Sequence, residues 1–310
     1  MENTRAKTTR NSLILLLTAT IWGMAFVSQS KGMDYMHPFT FNGVRSLIGA
    51  AGILIYILLS RKIAGDKAAK LDWKLNVKAG LLCGIFLTIA STLQQFGIKY
   101  TSVGKAGFIT TLYIIFVPMF GIFLKKKVAP VVWAAAGMAA VGMYLLCMTE
   151  SLRLGAGDIM VFLCAIAFAI QIMTVDHYAA SIDGAVVSCI QFTVCGVVCC
   201  IGALIWGQPT FGQIQEGLGA LLYAGVLSCG VGYTLQIVGQ KGLNPTVAAL
   251  IMSLESVIAT ISGWIAYKIG FLSTDQTLTP RQIAGCVIVF AAVILVQLPP
   301  EWFRFGKKNA

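Results

Sequence analysis

The sequence predicts an all-α membrane protein of ten transmembrane helices, arranged as two inverted five-helix repeats over residues 1–150 and 151–310. Three observations carry that prediction: the composition, ten apolar stretches of bilayer-crossing length, and a match of the chain to itself. Of 310 residues, 57% are hydrophobic and only 11% charged, and the mean hydropathy is +0.82. Soluble domains carry about 25% charged residues. A water-soluble fold of this size could not hide so much apolar side chain, whereas a bilayer requires it.

The stretches run at 11–29, 38–59, 79–98, 103–124, 129–147, 157–177, 184–206, 217–238, 243–267 and 281–298. Each is close to the roughly 17 to 25 residues that a helix needs to cross a bilayer. The first follows Arg5, Lys7 and Arg10; its long apolar run, the lack of a small-residue cleavage site and the prompt arrival of further spans make it an uncleaved first helix. Lys31-Gly32 separates the first and second stretches, and the basic segment Arg61 to Lys78 separates the second and third. Lys125-Lys126-Lys127 ends the fourth, and Gly155 to Asp158 opens the sixth. Gly207-Gln208-Pro209 ends the seventh, and Ser273 to Pro280 precedes the tenth. No connection is long enough to form a domain.

Charge placement predicts orientation. With the N-terminus inside, sixteen lysines and arginines fall on inner segments and six on outer ones, which puts both termini in the cytoplasm of a plasma (inner) membrane. The formal charge of +11 is then mostly a topology signal, with weak adhesion to anionic membrane lipids, and no nucleic-acid role is expected. The nine cysteines all lie in predicted spans and read as small apolar packing residues. His37 and His177 stand at helix ends, so no metal site and no cofactor is expected.

A shift of 142 residues superimposes Thr92-Leu93-Gln94 on Thr234-Leu235-Gln236, Gly97 on Gly239, Lys99 on Lys241, Gly121 on Gly263 and Tyr113 on Glu255. Trp22 falls opposite Phe168, and Arg45 opposite Gln191, at a slightly larger shift. Five spans per repeat is an odd number, so the second copy enters the membrane from the other side. Inverted pairs of this kind are the architecture of alternating-access transport, with the site near the midplane where the repeats meet.

Polar residues inside spans are then the site candidates. Glu255, near the middle of the ninth span, is the most costly to bury and needs a partner, a proton or a cargo. Gln94 in the third span and its mate Gln236 in the eighth, Thr110 and Tyr113 in the fourth, Trp22 in the first and Tyr233 in the eighth complete an amphiphilic set. Arg45 in the second span either contacts a solute or snorkels toward the headgroups. Pro118 should kink the fourth helix. Gly263, with Gly43, Gly49, Gly52, Gly80, Gly84, Gly137, Gly142, Gly225, Gly230 and Gly232, should permit close helix contact. The pocket is expected between spans one, three, four, six, eight and nine.

The runs Ala19-Thr20-Ile21-Trp22-Gly23, Gly107-Phe108-Ile109-Thr110-Thr111-Leu112-Tyr113 through Val117-Pro118, and Leu254-Glu255-Ser256-Val257 with Gly263-Trp264, together with Arg45, resemble the EamA-like branch of the drug/metabolite transporter superfamily. That resemblance covers essentially the whole chain. It implies a ten-helix secondary transporter with a central cavity, not an enzyme, mostly exporting amino acids or related metabolites. Ser256 departs from the family pattern, where a proline often follows the glutamate, as does the absence of a second acid around Tyr267 to Gly270, so a break in the ninth helix is not assumed.

The expected cargo is a small amphiphilic metabolite moved outward, with proton coupling and oligomeric state left open. The alternatives are a lipid-handling or structural membrane protein, or a carrier of sugar phosphates or nucleotides.

Overall fold

The computed structural model describes residues 2–65, 71–124, 130–147, 155–273 and 275–297. Lys67, Lys70, Lys125, Lys126, Lys127, Arg153, Arg304, Lys307 and Lys308, on which the predicted orientation partly rests, lie outside those residues, as do the side chains of Arg5 and Cys147.

Among the described residues all regular structure is helical. The helices are α1 (Glu2–Gly32), α2 (Pro38–Ala64), α3 (Trp73–Ile98), α4 (Val103–Thr111), α5 (Tyr113–Phe123), α6 (Pro130–Cys147), α7 (Ala156–Tyr178) and α8 (Gly184–Gly202). They continue as α9 (Phe211–Glu216), α10 (Leu218–Leu222), α11 (Tyr233–Gln240), α12 (Pro245–Met252), α13 (Leu254–Lys268) and α14 (Pro280–Gln297). Two π-helical stretches are present: Ala203–Gly207, which extends α8, and Tyr223–Gly232, between α10 and α11. Among the described residues eight helical segments are long and apolar enough to cross a membrane. Two shorter apolar helices, Pro130–Gly142 and Pro280–Leu295, occupy the predicted fifth and tenth positions. This is a multi-pass membrane protein. Its outward faces carry Ile63, Phe123 and Leu204 at 87%, 79% and 75% exposure, which lipid solvates and water does not.

Local chemistry sets the helix starts. Asp72, Ser102, Asp183 and Asn244 accept hydrogen bonds from backbone N–H groups of the first turns of α3, α4, α8 and α12. His37 starts α2 in the same way, its Nδ1 accepting from Phe39 N at 3.4 Å, ahead of Pro38. Burial, with Lys99 nearby, holds the His37 imidazole below its ordinary range, so Nδ1 stays free to accept. At the other end of the chain, Gly270 at φ 75 closes α13. Phe271 N donates to Ala266 O at 2.8 Å and Gly270 N to Tyr267 O at 3.0 Å, the paired bonds of a glycine C-cap.

The fourth and ninth predicted spans are each broken into two helices. α4 gives way to α5 at Leu112, and α12 to α13 at Ser253. The first break precedes Pro118, which lies inside α5. Proline has no N–H to offer the carbonyl a turn earlier, so it weakens the ladder on its N-terminal side. Hydroxyls patch both breaks: Thr111 Oγ1 donates to Phe108 O at 2.8 Å, and Ser253 Oγ to Leu250 O at 2.7 Å. The ninth helix therefore breaks without the proline that the family pattern would supply, because serines at 253 and 256 take over the freed carbonyls.

α2 packs on α8, α3 on α7 and α8, α1 on α13, and α6 on α14. Glycines mark several of these seams: a Cβ on Gly80 would lie 2.6 Å from Ile190 Cβ, and one on Gly142 2.9 Å from Ile288 Cβ. Gly263 sits under Val103 of α4, 3.3 Å from where a Cβ would stand. Gly52 and Gly137 do not fit the packing expectation, since each faces open space. The eight described cysteines are free thiols, buried or half-buried.

Among the described residues a part-buried ion pair joins the two parts of the chain. Lys105 Nζ lies 2.6 Å from Asp158 Oδ2, and Asp158 also accepts from Thr101 Oγ1 at 2.9 Å and from Gly155 N at 2.9 Å. Removing one partner strands the other charge. Lys105→Ala is expected to cost about 3 kcal/mol, read as a lower unfolding midpoint in detergent, and Lys105→Met with Asp158→Leu together should cost less than either change alone.

Candidate functional site

All eight polar and aromatic candidates, Trp22, Arg45, Gln94, Thr110, Tyr113, Tyr233, Gln236 and Glu255, border one central cavity. The cavity volume is about 30 Å³, room for roughly two waters.

Glu255 sits in the first turn of α13, just past the break, and is 4% exposed. Tyr113, the first residue of α5, directly follows the other break and is also buried. Its hydroxyl donates to Glu255 Oε1 at 3.0 Å across a sequence separation of 142. Residues at equivalent positions of the self-match thus meet each other. Thr111 and Ser253, which patch the two breaks, are separated by the same interval.

The glutamines are tied to protein groups while still bordering the cavity. Gln94 Nε2 donates to Thr110 Oγ1 at 3.1 Å. Gln236 and Gln171 exchange amide hydrogen bonds at 3.2 and 3.4 Å, joining α11 to α7. Gln95, three positions from Thr92 on α3, turns away and donates to Gln29 O at 3.1 Å.

Aromatic rings build one wall. Trp22 and Tyr233 lie 4.5 Å apart between centroids, and Phe192 meets Tyr233 edge-on at 5.0 Å. Trp22 Nε1 donates to Ser228 O at 3.4 Å, a carbonyl on the π-helical stretch Tyr223–Gly232. π-helical turns widen a helix and recur at functional sites.

Arg45 faces the cavity and does not snorkel to the surface: it is 5% exposed, and its guanidinium lies over the Phe41 ring at 5.3 Å. Lys105 does not join it there, because that ammonium is spent on Asp158. The expected set of lining spans is also incomplete. α2 contributes Arg45 and Ser46, and α8 contributes Phe192. Gln171, Ile172, Phe168, Ser228 and Cys229 line the cavity without having been singled out as site residues. Gln171 was detectable by the criterion that found Gln94, an amide inside an apolar span, and Phe168 as the counterpart of Trp22. Nothing in the pattern marks Ile172 or Cys229. Among the described residues no cluster of three or more His, Cys, Asp or Glu could hold a metal ion.

Comparison with known proteins bears on the family and the fold. The EamA-like transporter family matches the chain twice, over residues 10–148 and 155–298. An uncharacterized transporter of Archaeoglobus fulgidus is 28% identical over 92% of this chain and 84% of its own length. The uncharacterized transporter YwfM of Bacillus subtilis is 24% identical, with 94% of each chain covered. A solved structure, described only as the crystal structure of a protein, superposes with a TM-score of 0.73 at 16% identity, covering 96% of this chain and 99% of that one, so the fold is shared. With a family match spanning nearly all of the chain around a buried polar cavity, the protein belongs to the EamA-like transporter family and is a membrane transporter.

Proposed function

We propose that the protein is a secondary transporter that moves a small amphiphilic metabolite, an amino acid or a close relative, outward across the plasma membrane by alternating access. In this reading residues 1–150 and 151–310 are inverted five-helix halves, and both termini lie in the cytoplasm. α6 and α14 complete the ten spans: each has 18 residues, which at about 1.5 Å per residue reaches close to the roughly 30 Å of a hydrocarbon core.

The observation that carries the reading is the Tyr113–Glu255 bond. If the halves are related by a pseudo-two-fold axis, two equivalent residues touch only beside that axis, and there the midplane site of an inverted repeat lies. Both residues follow helix breaks, where the regular ladder is interrupted and a change of angle is least resisted. A sugar phosphate fits less well, since convergent cations hold phosphate and Arg45 is the one cation bordering the cavity among the described residues.

A second reading has one observation in its favour. A groove of about 400 Å³, walled by Leu13, Leu16, Ile251, Leu254, Phe290, Val293 and Ile294, suits an acyl chain and would belong to a lipid-handling protein.

The test is a solute screen in reconstituted vesicles, with lipid scrambling measured in the same preparation. Saturable counterflow of an amino acid, with no scrambling, is the expected result. Scrambling without solute flux would replace transport of a metabolite with lipid handling.

A further inference from the structure

Arg45 is an arginine at membrane depth, buried to 5% exposure, whose Nε has no hydrogen-bond partner. Among the described residues no carboxylate pairs with it: the two ion pairs there are Lys31–Asp34 and Lys105–Asp158. The Phe41 ring lies 5.3 Å from its guanidinium. An unpaired guanidinium in so dry a place is costly unless something neutralises it part of the time.

The same cavity is bordered by a carboxyl group that likewise has no ion-pair partner among the described residues. Glu255 has the Tyr113 hydroxyl as its partner and no cation. Arg45 and Glu255 do not pair with each other, although both border a space of about 30 Å³. Trp22 and Tyr233 form an apolar wall on that space. A cation, an acid and an aromatic wall, each facing one cavity and none cancelling another, are complementary to a molecule that carries all three features.

We propose that Arg45 binds the carboxylate of the cargo, and that the cargo is therefore a zwitterion with its ammonium group on Glu255 and its side chain on the Trp22–Tyr233 wall. The inference rests on the transporter reading and adds to it a specificity-determining residue. The planar guanidinium offers two parallel N–H donors to a carboxylate, so charge and shape are both used. Arg45 is the one cation and Glu255 the one acid lining the cavity among the described residues, and that asymmetry fixes how the zwitterion lies.

The experiment uses full-length protein in vesicles with alanine, leucine, glutamine and phenylalanine as probes. Each competes against its methyl ester, which lacks the carboxylate, and its deaminated acid, which lacks the ammonium. The wild type is expected to prefer at least one amino acid over both analogues by about tenfold or more, the worth of one charge-assisted contact. Arg45→Gln should erase the discrimination against the ester and keep that against the deaminated acid; Glu255→Gln should do the reverse.

Arg45→Lys, which keeps the charge and loses the fork, should discriminate between these extremes. A merely structural Arg45 would lower protein yield or flux without this crossed pattern. An unchanged ester-to-acid ratio in Arg45→Gln overturns the proposal, and so does equal acceptance of ester and acid by the wild type, which needs no variant to fold. Flux of polyamines or sugar phosphates with no amino acid binding overturns the proposal and leaves the transporter intact; absence of flux for every solute overturns the transporter reading itself.

Discussion

Glu255→Gln is expected to lower solute flux in reconstituted vesicles by at least about tenfold and to flatten its dependence on pH, while the unfolding midpoint in detergent holds or rises. The glutamine is nearly the same shape, and its Oε1 can still accept from Tyr113, so the change removes the charge and the titration and little else. A carboxylate at 4% exposure costs desolvation energy that its neutral replacement does not, which is why stability should not fall. The three roles open to Glu255 give three outcomes. A proton carrier loses the pH response together with coupled flux. An ammonium contact loses affinity for cationic or zwitterionic cargo first. A structural acid loses stability and flux in parallel, and that result would remove Glu255 from the transport cycle. Tyr113→Phe is the companion measurement: it deletes the donor and leaves the acid, so it should weaken flux less than Glu255→Gln and alter the pH profile without abolishing it.

The helical positions were legible in the sequence because a bilayer enforces them: each long apolar run between charged or glycine-rich breaks became a helix at nearly the expected residues. The interior irregularities were less legible. Pro118 signals a weak point in the fourth helix, yet the break falls earlier, where Thr111 can satisfy Phe108 O. The break at Ser253 has no proline at all and depends on two serines that are ordinary residues in a membrane helix. The π-helical stretch Tyr223–Gly232 is invisible to a hydropathy pattern, since widening one turn changes no residue type. At the site, unusual polarity pointed to the right residues, but which face each residue takes is a tertiary matter. Gln94 and Gln95 are adjacent; the first borders the cavity and the second bonds Gln29 O. Arg45 likewise had two geometries open to it, and only the packing of α2 on α8 and the π-helical stretch turns it inward.

Gly23→Ala should be among the most damaging single changes outside the cavity lining, although it adds one methyl group. That Cβ would lie 2.6 Å from Ile258 Cβ and 2.7 Å from Glu255 O, closer than atoms can stand, and the second neighbour is backbone. α1 would have to withdraw from α13, or α13 would have to turn at its break, and either movement shifts Glu255 relative to Tyr113. Overpacking of this kind costs about 1–3 kcal/mol. The intrinsic preference runs the other way, since alanine in a helix interior is favoured over glycine by about 1 kcal/mol. Gly52 supplies the comparison, because a Cβ there meets nothing within 4 Å. Gly52→Ala should therefore keep or raise the unfolding midpoint and leave flux unchanged, while Gly23→Ala lowers both. Two identical substitutions in consecutive helices would then have opposite signs, which helix propensity alone cannot produce. If Gly23→Ala proves as stable and active as the wild type, α1 and α13 do not approach as closely as described, and the placement of Glu255 beside Tyr113 loses its support.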